Sequence, residues 1–221
     1  MHGGVYKVPT ADVCEPINEN QPTIEDPLKD VAPPPACTFL NDKVTVPFGA
    51  TMTLNPGCYP EIVVYGTARF NPGIFTVGKF MIQNGSIAQS VSQDGLIGNM
   101  FYITNTGGID GEFRVSGNTN VDFLPMDPGV YPAYERYSKE GIVVFQDRNN
   151  TKELIIEDAD AFETGTIYAI GTTIKIQDNT ATTVVGENLR FISDKFDMQG
   201  LNTLTFSPSG TGGAVSVKLV Q

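Results

Sequence analysis

The sequence predicts an all-β chain wound as a right-handed parallel β-helix and entered by an irregular, proline-rich arm. Three observations predict it. From Cys37 onward, short apolar-alternating runs follow one another, each bounded by Gly, Asn or Asp. An Asn/Asp-Pro-Gly unit, preceded by an apolar residue and followed by an apolar or aromatic pair, occurs three times. No segment carries apolar residues at i, i+3, i+4 and i+7 over three turns, so almost no helix is expected.

The elements follow in chain order. Residues 1–36 form the arm, with Pro9, Pro16, Pro22, Pro27, Pro33, Pro34 and Pro35 spread among acidic residues. Proline fixes φ and removes a donor, so this stretch should be extended and irregular, resting against the body or linking to it. Residues 37–221 form the body. Strand runs are expected at Lys43–Val46, Glu61–Tyr65, Met100–Ile103, Gly141–Phe145, Leu154–Ile156, Thr166–Ala169 and Ile174–Ile176, where β-branched and aromatic residues dominate. The units Leu54-Asn55-Pro56-Gly57-Cys58-Tyr59, Phe70-Asn71-Pro72-Gly73-Ile74-Phe75 and Met126-Asp127-Pro128-Gly129-Val130-Tyr131 should each turn the chain, with type II geometry suiting Pro then Gly. A second unit is a short strand ending in Asn or Gly. It recurs at Met81–Gly85, Phe113–Asn118, Ile174–Asn179 and Phe196–Gly200. Such units fit coils that each contribute an inward apolar residue and turn a corner on Asn or Gly. At roughly 20 residues per coil the body holds about 9 coils, and at about 4.8 Å per coil it is roughly 40 Å long. A sandwich of two sheets uses the same short turns and is the alternative architecture.

Composition excludes several classes of function. The 221 residues carry Lys+Arg 14 against Asp+Glu 25, a net charge of -11. That balance disfavours nucleic acid as a partner. The one histidine is His2, which argues against a His-based triad or a His-rich metal site. No run of about 18 apolar residues occurs, so no membrane span is expected in this chain. The start, Met1-His2-Gly3-Gly4, lacks the basic and apolar regions of a signal peptide.

The three cysteines, Cys14, Cys37 and Cys58, lie in no C-x-x-C spacing, so zinc is not expected. They form a disulfide or stay as buried thiols. A Cys37–Cys58 bond is favoured, because it would pin the exit of the arm to the first coils. Closing a loop of about 20 residues stabilises by about 3 kcal/mol. Cys14 is then left over. A disulfide would place the chain in the periplasm, at the cell surface or outside the cell.

Candidate chemistry is sparse. Glu157, Asp158, Asp160 and Glu163 could offer oxygen ligands to a hard cation, but their spacing reads better as a solvated bulge. Gly107-Gly108-Ile109-Asp110-Gly111 reads as a turn. Parallel β-helices often act on acidic polysaccharides, and such hydrolysis needs two carboxylates facing one cleft. Asp147 and Arg148, at the end of an apolar run, are an acid and a possible electrostatic partner; a structural turn explains them better. Nothing resembles a phosphate-cradling loop or a nucleophile elbow, and no cofactor is expected. Asn- and Thr-rich turns such as Ser116–Asn120 and Asp178–Thr183 can stack from coil to coil, or bind a neutral glycan.

The ordered series Asp26-Pro27-Leu28, Pro33-Pro34-Pro35-Ala36-Cys37, the Asn-Pro-Gly-Cys-Tyr and Asn-Pro-Gly-Ile-Phe units, Gly141–Arg148 and Gly165–Ala169 resembles the C-terminal region of TadG-like proteins. Those proteins serve the tight-adherence (Flp) pilus-assembly system. The resemblance spans roughly residues 26–200. It implies a parallel β-helix, an envelope-associated role in pilus biogenesis, usually a membrane anchor upstream, and no catalytic residues to carry over. The chain departs from the pattern in having no anchor, in Ala169-Ile170 where a proline often follows the alanine, and in an aromatic, charged insertion from Tyr131 to Lys139.

The expected function is therefore a non-enzymatic structural or adhesive component of a periplasmic or extracellular assembly, with protein partners and, as a further candidate ligand, a glycan. The alternative is a β-helix that binds or degrades polysaccharide. Tyr131, Tyr134, Arg136 and Tyr137 form the candidate partner contact, since tyrosine and arginine are common interface anchors. The same tyrosines could instead cap the side or end of the coil.

Overall fold

The computed structural model describes residues 25–35, 37–39, 42–106, 111–157, 164–178, 183–187, 189–200 and 203–207. The strands are β1 (Val44–Val46), β2 (Thr51–Leu54), β3 (Gly57–Val64), β4 (Thr67–Phe70), β5 (Gly73–Ile82), β6 (Ile87–Ser90), β7 (Asn99–Ile103), β8 (Glu112–Val115) and β9 (Asn120–Asp122). A 3-10 turn (Pro132–Tyr134) and a one-turn helix α1 (Glu135–Ser138) follow. Then come β10 (Ile142–Gln146), β11 (Leu154–Ile156), β12 (Gly165–Asp178), β13 (Thr183–Glu187), β14 (Leu189–Gly200) and β15 (Thr203–Ser207).

Every pairing between these strands is parallel, within sheets of nine, four and two strands. The one antiparallel bridge among the described residues, Gln93 with Leu96, closes a turn. Two facing antiparallel sheets are thereby excluded. Parallel neighbours need a crossover, and here the crossovers are made of further strands. The long strands bend between two roles. In β5, Gly73–Val77 pairs with β7 while Lys79–Ile82 pairs with β8. We call the side holding the first halves of β3, β5, β12 and β14, with β7 and β10, the front. The second halves, with β1, β8 and β11, form the back. The sheet of β2, β4, β6 and β9 is the third face. The chain visits back, third face and front in that order: β1, β2 and early β3, then late β3, β4 and early β5, then late β5, β6 and β7.

One column shows the stacking. Val44 pairs with Ile62, Ile62 with Phe80, Phe80 with Phe113, Phe113 with Leu154, Leu154 with Ile174, and Ile174 with Phe196. These are seven levels among the described residues, separated by 18, 18, 33, 41, 20 and 22 residues. The even spacing expected from sequence fails at the two long steps, where excursions outside the stack absorb chain without adding a level.

The interior is packed with aromatic rings. Phe70 meets Phe75, Phe80, Phe101 and Phe123 with centroids 5.1–5.7 Å apart, mostly edge to face. Ile62, Val64, Val77, Ile82, Ile103, Val115 and Ile174 fill the space between. Inward positions alternate along each strand, as in β4, where Ala68 and Phe70 are buried and Arg69 is exposed.

Two Asn-Pro-Gly units do turn corners, from the third face to the front, but not as type II turns. Gly57 and Gly73 open β3 and β5 at φ 159° and 133°. Gly73 is required because a Cβ there would strike the ring of Pro56 one level below. The asparagines stack: Asn71 Nδ2 donates to Asn55 Oδ1 (2.7 Å), and Asn99 Nδ2 donates to the Asn71 carbonyl (2.7 Å). The third unit, around Asp127-Pro128-Gly129, has a different place; it lies within the excursion between β9 and β10.

Candidate functional site

The front has a second apolar layer on its outside. Its floor is one in-register column: Cys58, Thr76, Tyr102, Phe145, Tyr168 and Ile192. Tyr102, Phe145 and Tyr168 form an aromatic ladder, with centroids 5.7 and 4.8 Å apart. Rings projecting outward from a sheet would ordinarily be half wet. Here they are buried, because two segments cover them: residues 25–35, and the excursion carrying Met126, Tyr131 and Tyr137.

Residues 25–35 lie as an irregular strap with a turn at Pro27–Asp30. Asp26 starts it, its Oδ1 accepting from the Leu28 amide at 2.8 Å. Leu28 is 1% exposed and is the apolar anchor. Arg148, just past β10, clamps the strap. Its Nη2 donates to the carbonyls of Leu28 (2.6 Å) and Val31 (3.0 Å), and its Nε donates to the Tyr168 hydroxyl (2.8 Å). That hydroxyl donates in turn to Asp26 Oδ2 at 2.7 Å. The guanidinium also lies 5.3 and 5.2 Å from the centroids of Phe145 and Tyr168. Tyr137 adds a third donor, from its hydroxyl to the Ala32 carbonyl at 3.0 Å. Cys37, beyond the strap, is bonded to Cys58 at the foot of the same column, with Cα atoms 6.1 Å apart.

The electrostatics follow from this packing. Burial pushes the Tyr102 hydroxyl far above its ordinary pKa, and its hydrogen bond to Asp147 Oδ2 adds to the effect. Burial raises Tyr168 likewise, with the bond to Asp26 adding and Arg148 opposing. Tyr137 and Tyr131 are also raised, chiefly by burial. The hydroxyls of Tyr102, Tyr168 and Tyr137 are each hydrogen-bonded in the network.

The sequence-derived site residues fall as follows. Cys37 and Cys58 are joined. Asp147 and Arg148 serve structure: Asp147 accepts from Tyr102 and from the Asn149 amide (2.9 Å), while Arg148 holds the strap. The group expected as one exposed contact is split by burial. Tyr131 and Tyr137 face inward onto the front, whereas Tyr134 and Arg136 are exposed, Arg136 lying over the Tyr137 ring at 4.8 Å. Two of the four are thus covered while the strap is seated. Glu157 pairs with Arg114 on the back, next to ion pairs Lys43–Glu61 (3.3 Å) and Lys79–Glu112 (3.5 Å). His2, Cys14, Asp158, Asp160, Glu163 and residues 107–110 lie outside the described residues. Among the described residues, no three His, Cys, Asp or Glu side chains gather as a metal-ligand set, and no helix is long and apolar enough to cross a membrane.

The sequence reading did not single out Tyr102 and Tyr168 of the groove floor, or Asp26 within the strap. A signal existed in outward-facing aromatics on strands otherwise flanked by turns, but period-two alternation does not distinguish a covered outer face from the core. No family model matches this chain, and no curated protein or solved structure is similar enough to it to be matched.

Proposed function

We propose that the chain is a right-handed parallel β-helix serving as a non-enzymatic structural or adhesive component of a cell-envelope or extracellular assembly, of the tight-adherence pilus type. The right hand follows from the twist of strands, which packs parallel crossovers back onto their sheet in one sense. A barrel of alternating strands and helices is disfavoured, since barrel strands connect through helices and the described crossovers hold one helix of four residues. The observation that carries the functional reading is the use made of Asp147 and Arg148. The acid and its electrostatic partner that sequence offered for carbohydrate chemistry are engaged within the chain: Asp147 accepts from Tyr102 on the groove floor, and Arg148 holds the residues 25–35 strap. The Cys37–Cys58 bond supports a periplasmic or extracellular location. A solenoid of this kind gives long faces on which other subunits can dock.

The test is genetic and enzymatic together. Deletion in the source cell should reduce surface assembly or adhesion, and Asp147→Asn should restore it, because an amide oxygen still accepts from Tyr102. The purified chain should release no reducing ends or unsaturated products from uronate polymers. Such products, lost in Asp147→Asn, would replace this reading with the polysaccharide-degrading one.

A further inference from the structure

We propose that the groove over the Tyr102–Phe145–Tyr168 ladder is a peptide-docking site whose resident occupant, residues 25–35, is exchangeable, and that the same segment of a second copy of this chain replaces it when copies are crowded. The docking stands by itself. Only its use between crowded copies rests on the assembly role proposed above.

The groove contacts its occupant as a peptide receptor would. Leu28 fills an apolar position. Three donor contacts, two from Arg148 and one from Tyr137, reach backbone carbonyls of Leu28, Val31 and Ala32. Tyr168 reaches the Asp26 carboxylate. Aromatic walls and donors aimed at carbonyls are the chemistry that captures extended proline-containing segments, and Pro33-Pro34-Pro35 stiffens this one so that little entropy is lost on docking.

The occupant is also poised to leave. Residues 25–35 contain no strand, while the floor is held by continuous ladders through β7, β10 and β12. Segments held by few contacts open below the free energy of global unfolding. When the strap lifts, the floor stays formed, since the ladder residues sit on paired strands and Asp147 still holds the Tyr102 hydroxyl. Reach is sufficient. Cys37 remains tied to Cys58, and the eleven residues from there to Asp26 extend to about 36 Å. The four strand steps from Cys58 to Tyr168 span only about 19 Å. The strap can therefore enter a neighbour's groove without breaking its disulfide. Tethering gives it a millimolar-order advantage at home, so exchange belongs to dense arrays and not to dilute solution.

Two full-length variants separate groove from strap. Leu28→Asp expels the strap and leaves the groove open; Arg148→Ala leaves the strap's sequence intact and disables the groove. Each alone should sediment as a monomer, and their equimolar mixture should form a one-to-one dimer. A labelled synthetic peptide of residues 25–35 should bind Leu28→Asp roughly tenfold or more tightly than the unaltered chain. It should not bind the variant carrying both changes. A mixture that stays monomeric, with both variants folded by circular dichroism, overturns the proposal. Should either variant fail to fold, hydrogen exchange on the unaltered chain reads the same claim. The Val31 amide, which donates to Leu28 O at 2.9 Å, should exchange far faster than β7 and β10 amides. Equal protection overturns exchangeability.

Discussion

Arg148 combines three roles. It donates to two carbonyls of the strap, donates to the Tyr168 hydroxyl, and places its guanidinium over two rings. A lysine keeps the charge but lacks the planar fork. Arg148→Lys should therefore cost about 1.5 kcal/mol in urea unfolding and increase exchange in residues 28–32, because carbonyls lose charged donors. Tyr131 presents the opposite case. Its hydroxyl is buried without a hydrogen-bond partner, so Tyr131→Phe should raise stability by about 1 kcal/mol, read as a higher melting temperature. The tyrosines also set a pH limit. Their folded pKa values lie above the unfolded value of about 10, so the neutral form is favoured by folding. The stability they contribute is complete below about pH 10 and is lost as pH rises toward the folded values. Absorbance at the tyrosinate band should show Tyr102 and Tyr168 ionising only together with unfolding; early ionisation of all tyrosines would contradict their burial.

At the scale of elements, legibility tracked distance along the chain. The runs at Glu61–Tyr65, Met100–Ile103 and Gly141–Phe145 were readable because branched and aromatic residues alternate with turn residues close by. Strands β2, β4, β6 and β9 were not singled out, since they are short and rich in Thr, Arg, Gln and Asn on their outer side. Their inward Ala68, Ala88 and Val121 are too small to mark a core position by themselves. The strap contact was illegible for another reason: Arg148 and Leu28 are 120 residues apart. Close approach leaves a clearer trace at glycine. Gly98, at φ +99°, packs where a Cβ would collide with the Pro125 carbonyl of the excursion. Gly98→Ala should destabilise by about 2 kcal/mol through clash and strained φ together, with a loss of the excursion's exchange protection as the distinguishing sign.

For the whole molecule, the stack of parallel levels explains why a disulfide near one end has a general effect. Each level buries its rings against the next, so loosening the first exposes the second. Replacing both Cys37 and Cys58 by serine removes a cross-link over 21 residues and should lower stability by about 3 kcal/mol. The loss should appear first as deprotection of β1, β2 and early β3. A uniform loss through β12 would mean that the molecule melts as one unit. The longer of the two long steps carries the excursion that covers the front, so the stack is irregular in sequence spacing yet continuous in register. That continuity depends on pairing across levels, which sequence spacing alone could not reveal once the steps lengthened to 33 and 41 residues.

The covalent tie at the end of the strap also determines how the molecule bears tension. A pull on the N-terminal segment first lifts residues 25–35, which unroll and absorb extension like slack in a mooring line. The force then passes from Cys37 straight into β3 through Cys58, bypassing β1 and β2. The three-residue strand at the edge of the stack is thereby taken out of the line of strain.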